Sequence, residues 1–241
     1  MRVKMTLSYD GSKFYGFQIQ NSGVPTVANR LYEIFSSLGI KSRFDASGRT
    51  DRGVHAVAQV ISLDLPSFWS DLFALKRNIN KKALPSIYVH DIKAVNDDFH
   101  ARFDAKKRAY RYIVSTREPN VFLTPYVLYT KPFDLYKVKE AVKLFEGAHD
   151  FALFAKEGSD VAHYEREIYR SKFYEYGDFF IFGFEADGFV RSQIRLMVSF
   201  LLKIGSGLLD KSDLKDQLIL RKTFVRDPVA PNGLYLSRIW Y

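Results

Sequence analysis

The sequence predicts an α+β protein made of two similar halves, and three observations carry that reading. Short stretches in which apolar and polar residues alternate are interspersed with stretches of helical period. The same mixture returns in the second half without a residue-level repeat. No low-complexity linker separates the halves, and 47% of the 241 residues are apolar, enough to bury a core.

Each element follows from its local pattern. Val3, Met5, Leu7 and Tyr9 alternate with Arg2, Lys4, Thr6 and Ser8, which predicts a half-buried strand running into an Asp10-Gly11-Ser12 turn. Thr26 opens a helix with the stripe Val27, Leu31, Ile34, Phe35 and Leu38, and Gly39 lies just past its end. A strand from Val54 to Leu63, a helix from Ser67 toward Asn80, and strands over Ile87 to Val95 and Arg108 to Ser115 follow. Asp134 caps a helix carrying Leu135, Val138, Ala141, Val142 and Phe145, ended by Gly147. Glu167 to Tyr176 and Phe179 to Ala186 form a hairpin around Gly177-Asp178. A long helix is expected after Gly188, then a short one after Ser212, then a strand from Leu234 to Trp240. The expected halves are residues 1–104 and 105–241.

Composition narrows the chemistry. Lys and Arg number 36 against 27 Asp and Glu, a net charge of +9, which favours a polyanionic partner and puts nucleic acid first. With no cysteine there is no thiolate nucleophile, no disulfide frame and no Cys-rich zinc site. His55, His90, His100, His149 and His163 show no metal-ligand spacing, so the chain reads as metal-free. It has neither a dinucleotide fingerprint nor a GxxxxGK phosphate loop, and no cofactor is expected. The longest apolar stretch, Leu196 to Ile204, is too short to span a bilayer, and the N-terminus lacks a signal-peptide block, so the cytoplasm is the expected location.

Three segments carry candidate chemistry. In Ala46-Ser47-Gly48-Arg49-Thr50-Asp51-Arg52-Gly53-Val54-His55-Ala56 the glycines allow a sharp bend, and neighbouring guanidinium groups keep Asp51 ionised, as a nucleophile must be. The same pattern also describes a charge-balanced turn, and the segment alone leaves both readings open. In the helix after Gly188 almost every face is apolar, and Arg191, Arg195 and Ser199 form its narrow polar stripe at steps of four. A buried arginine there needs a carboxylate; otherwise it reaches solvent or pairs with Asp187 or Glu185. In Lys106-Lys107-Arg108-Ala109-Tyr110-Arg111-Tyr112, a strand places Arg108, Tyr110 and Tyr112 on one face and Arg111 on the other. Such aromatics either stack on bases or simply build a sheet. Tyr15 and Gln18 beside Lys13, in YDGSKFYGFQIQ, form a comparable cluster.

YDGSKFYGFQIQ, GRTDRGVHAVAQV, FHARFDAKKRAYRYIV, GAHDFALF, GFVRSQIR and APNGLYL follow one another in an order and approximate spacing that resembles the bacterial tRNA pseudouridine synthase A family from end to end. The resemblance implies that Asp51 is the catalytic aspartate, that Arg49 engages RNA near the target and helps flip it, that Tyr110 stacks on the target base, and that Arg195 pairs with the aspartate. The accompanying RNA contacts are expected from Lys13, Tyr15, Gln18, Arg52, His55, Arg102, Lys106, Lys107 and Arg108. The implied fold is two ferredoxin/RRM-like α+β halves joined through a central, mainly antiparallel sheet with a basic cleft between them. The implied activity is cofactor-free isomerisation of uridine to pseudouridine in the tRNA anticodon stem-loop (nucleotides 38 to 40) by a homodimer. The chain departs from the family pattern at Gln193-Ile194, where Met-Val is usual, at Ser199, where glycine is common, and at Ala28, where Gln usually follows Thr-Val.

Overall fold

The computed structural model describes residues 1–156, 158 and 163–241, which gather into two units, one of residues 1–106 with 235–241 and one of residues 107–234.

The first unit contains β1 (Arg2–Tyr9), α1 (Val27–Ser37), β2 (Phe44–Ala46), β3 (His55–Asp64), α2 (Leu72–Ala83) and β4 (Ile87–Ala94). β1 lies antiparallel between β3 and β4, and β2 pairs with the far edge of β3. The last strand of the chain, β10 (Leu234–Trp240), runs parallel to β3 through Tyr235↔His55 and Leu236↔Ala56. Period-two alternation decides the faces, since Val3, Met5, Leu7 and Tyr9 are buried while the intervening residues are not. Thr26 caps α1 by accepting from the Asn29 N–H. α2 begins at Leu72 rather than near Ser67, because the Asp71 carboxylate accepts from the N–H groups of Phe73 and Ala74, both at 2.9 Å. Asn80 then ties α2 to β4, donating to the Val89 carbonyl and accepting from the Val89 N–H.

The second unit contains β5 (Lys107–Ser115), β6 (Leu128–Tyr129), α3 (Leu135–Ala141), β7 (Gly147–Asp150), β8 (Glu165–Tyr176), β9 (Phe179–Ala186), α4 (Gln193–Gly205) and α5 (Lys211–Leu218). Its sheet runs β5-β9-β8-β7, all antiparallel, with β6 parallel to β5. One face, carrying Tyr110, Tyr112, Ser171, Phe173, Phe182 and Phe184, is buried. Phe145, Phe154 and Phe200 extend that core by edge-on and tilted ring contacts at 5.5–6.3 Å.

Three more helices depart from their expected extents. α4 starts at Gln193, because Ser192 has a left-handed φ of 62° and the buried Gln193 amide oxygen accepts from the Val190 N–H at 2.8 Å. Arg191 therefore stands outside the helix, and the expected three-residue stripe shrinks to Arg195 and Ser199. α5 starts at Lys211, since Asp210 and Asp213 form a reciprocal capping box. α3 is short, and Val142–Phe145 tightens into a 3-10 turn before β7. Among the described residues, no helix is long and apolar enough to cross a membrane.

Glu146 joins that turn to β8. Its carboxylate accepts from the Ser171 N–H and from the Lys143 ammonium, both at 2.7 Å. Partial burial alone would raise its pKa, but these donors outweigh it and hold the group below its ordinary 4.5. A lowered native pKa means that the unfolded state binds the proton more readily, so this contribution is present above about pH 4.5 and disappears as pH falls through the native value. Thermal melting between pH 6 and pH 3 should show a smaller acid-induced decrease in Glu146→Gln than in the wild type; parallel decreases would remove Glu146 from the acid response.

Candidate active site

In the first unit, backbone contacts fix the Asp51 loop. The Val54 N–H donates to the Asp51 carbonyl at 3.1 Å, closing a turn whose third residue, Gly53, has φ 78°, a conformation that glycine adopts without strain. The Phe17 N–H donates to the Thr50 carbonyl at 3.0 Å, and the Thr50 and Tyr9 hydroxyls meet at 2.8 Å. On the other side, the fully buried Gln59 donates to the Gly48 carbonyl at 2.8 Å. These clamps leave Arg49 and Arg52 exposed and Asp51 partly exposed.

A second segment packs under the loop so tightly that only glycine fits. A Cβ on Gly11 would lie 2.1 Å from the Val54 carbonyl oxygen, and one on Gly16, already at φ 104°, would lie 3.1 Å from the Thr50 carbonyl oxygen. His55 completes the junction, since its Nδ1 accepts from the Gly11 N–H at 3.0 Å while its ring stacks on Tyr235 at 4.7 Å. Accepting at Nδ1 places the proton of the neutral ring on Nε2. His55 is only 2% exposed, which corrects its expected role as an RNA contact: it is a strut beneath the loop.

Of the other expected RNA contacts in this unit, Lys13, Tyr15, Gln18, Arg102 and Lys106 are exposed. The Arg52 guanidinium lies over the Tyr15 ring at 4.1 Å, and Arg102 over Phe103 at 5.5 Å. Arg49, Lys13 and Lys106 make no ion pair among the described residues.

The second unit holds Tyr110 and Arg195. Tyr110 is largely buried on β5, and the Phe189 ring meets it edge-on at 5.3 Å, which fixes its plane. Arg195 is only partly buried on α4, and its Nε donates to the Val229 carbonyl at 2.7 Å. The neighbouring segment is anchored as firmly. The Tyr112 hydroxyl donates to the Ala230 carbonyl at 2.5 Å, and Asn232 donates to the Thr124 and Val127 carbonyls. A Cβ on Gly233 would collide with the Ile113 carbonyl oxygen at 2.6 Å. Burial pushes the Tyr112 hydroxyl far above its ordinary range, against the pull of the Arg195 guanidinium, so this tyrosine stays neutral and structural. Lys107 pairs with Glu185 at 2.9 Å, and Arg108 donates to the Asp187 carbonyl at 2.9 Å. These contacts were not legible in the sequence; the APNGLYL segment was a motif there, without a stated partner.

A family model described as tRNA pseudouridine synthase matches residues 5–104 and 141–241. The chain belongs to the tRNA pseudouridine synthase family. Asp51 and Arg195 fall inside the matched segments of that family, and Tyr110 lies between them. A curated tRNA pseudouridine synthase A of Wolinella succinogenes is 42% identical over 97% of this chain and 92% of its own. The protein of that name from a Campylobacter jejuni strain is 41% identical over the full length of both chains. A Helicobacter pylori relative of the same name is 35% identical, covering 99% of this chain and 98% of its own. The enzymes so named are isomerases.

Proposed function

We propose that this protein isomerises uridine to pseudouridine in the anticodon stem-loop of tRNA, at nucleotides 38 to 40, with Asp51 as its catalytic carboxylate and without a cofactor. The observation that carries the reading is the build of the Asp51 loop. Its backbone is locked from both sides by Thr50, Gln59, Gly11 and Gly16, while the carboxylate it presents is left partly exposed. A turn that served only to connect strands would have no use for such a clamp. Family membership supplies the reaction class.

The reaction breaks the C1′–N1 bond, turns the uracil and joins C1′ to C5; the C5 proton leaves and N1 gains one, so the product is an isomer. Asp51 can serve by attack at C1′, by attack at C6 or by removing a ribose proton, and each route needs an ionised carboxylate. In this proposal Arg195, whose Nε donates to the Val229 carbonyl, is the basic residue that serves the reaction. The target must leave the stack, costing a few kcal/mol, and stacking on Tyr110 returns about 1–3 kcal/mol. Arg49 occupies the vacated space, and Arg52, Lys13 and Lys106 contact phosphates. The protein works as a homodimer in the cytoplasm.

Incubation with transcript tRNA, followed by site-resolved pseudouridine mapping, tests the assignment. Conversion confined to nucleotides 38 to 40 is expected, and conversion elsewhere or none would overturn it. Tyr110→Leu keeps an apolar side chain in the core and removes the flat ring, so turnover should fall about 10- to 100-fold, with tRNA affinity falling less. Wild-type turnover would leave Tyr110 a core residue only.

A further inference from the structure

We infer that the open face of the second unit's sheet is a further RNA-contacting surface, gripping phosphate backbone away from the nucleotide being isomerised. The inference rests on the reading that the substrate is RNA. Strand register defines the face. Arg111, Gly183 and Lys172 lie side by side across β5, β9 and β8, and so do Ala109, Glu185 and Arg170, and likewise Ile113, Ile181 and Tyr174. Alternation puts all of them opposite the buried face that carries Tyr110, Tyr112 and Phe184. The surface therefore lies on the other side of the sheet from Tyr110.

Its chemistry suits a polyanion. Arg111 and Arg170 are exposed and Lys172 is half-exposed, and among the described residues none has a carboxylate within 4.0 Å. Two other cations of this unit are neutralised, Lys107 by Glu185 and Arg117 by Asp178. Gly183 opens the floor between Arg111 and Lys172, since a Cβ there would meet only Lys172 Cβ, at 3.8 Å. A phosphate can approach the backbone there between two cations. Tyr174 and Tyr176, 39% and 73% exposed, continue the same face of β8 and offer flat rings to unstacked bases or riboses. A second copy of the chain fits less well, because a two-fold contact through this face would bring the same unpaired cations together.

The test compares the Arg111→Gln, Arg170→Gln, Lys172→Gln triple variant with a control triple, Arg30→Gln, Arg117→Gln, Arg221→Gln, which removes equal charge from residues already paired with Glu33, Asp178 and Asp216. For the first, the tRNA Kd should rise about 10- to 100-fold, and the slope of log Kd against log salt should fall by about 1 per cation. kcat at saturating tRNA should hold, and the control should keep both Kd and slope near wild type. Equal effects from both triples would reduce the face to bulk charge and overturn the inference. An unchanged Kd would do the same, and so would a change in sedimentation with tRNA affinity intact, which would give the face to a second copy. If the wild type binds tRNA with the expected loss in the triple variant yet forms no pseudouridine, the catalytic reading fails and this surface stands.

Discussion

Asp51→Asn is expected to lower pseudouridine formation by at least about 10⁴-fold while tRNA affinity changes no more than a few-fold, the pattern of a lost reacting group rather than a lost contact. The substitution keeps shape and volume and removes the charge. The loop should keep its form, because the bonds that fix it run through backbone atoms and neighbouring side chains: the Asp51 carbonyl takes the Val54 N–H, the Thr50 carbonyl takes the Phe17 N–H, and Gln59 holds Gly48. Melting temperature close to wild type would confirm that the fold is intact, and single-turnover assays at saturating tRNA would isolate the chemical step. A turnover within tenfold of wild type would remove Asp51 from the chemistry and return it to a charge-balanced turn. Retained affinity matters equally, since a parallel collapse of binding would make the carboxylate a folding or docking residue.

How much of this was legible in the sequence varied with the range of the interactions involved. β1, α1, the β8–β9 hairpin and β10 were readable because alternation, a Thr cap and a Gly-Asp turn are local signals. β2, β6 and β7 are two to four residues long and exist only through pairing with β3, β5 and β8, so no periodicity marks them. The start of α4 was misplaced by several residues, because Ser192 is left-handed and the Gln193 side chain closes the turn. That bond also gives a use for Gln193, one of the departures from the family pattern. Residue chemistry left Asp51, Tyr110 and Arg195 open between a functional and a structural reading, and the family resemblance assigned their roles. The clamps around them depend on residues far apart in the chain, such as Arg195 with Val229 or Gly11 with Val54. His55 was expected among the RNA contacts that accompany the resemblance, but it is 2% exposed and its Nδ1 accepts from the Gly11 N–H, partners that no local pattern marks.

Gly11→Ala, in the segment packed under the Asp51 loop, is expected to cost both stability and turnover. Its Cβ would enter to 2.1 Å from the Val54 carbonyl oxygen and 2.4 Å from the carbonyl carbon, contacts with rigid backbone that no rotamer can relieve. Either the turn at Gly11 or the segment Asp51 to Val54 must move, and the His55 hydrogen bond to the Gly11 N–H stretches in both cases. Overpacking of this kind costs about 1–3 kcal/mol, and a backbone clash lies at the upper end. Because Val54 closes the Asp51 turn, the displacement reaches the carboxylate, and turnover should fall by about 100-fold in the fraction that remains folded. Gly183→Ala is the fitting comparison at saturating tRNA, where a weakened phosphate contact leaves kcat unchanged, since its Cβ would meet only an ordinary contact at 3.8 Å. Chemical denaturation and turnover measured on both variants separate the two consequences. A Gly11→Ala protein as stable and as active as Gly183→Ala would mean that the loop yields freely, and that the locked backbone is not what positions Asp51.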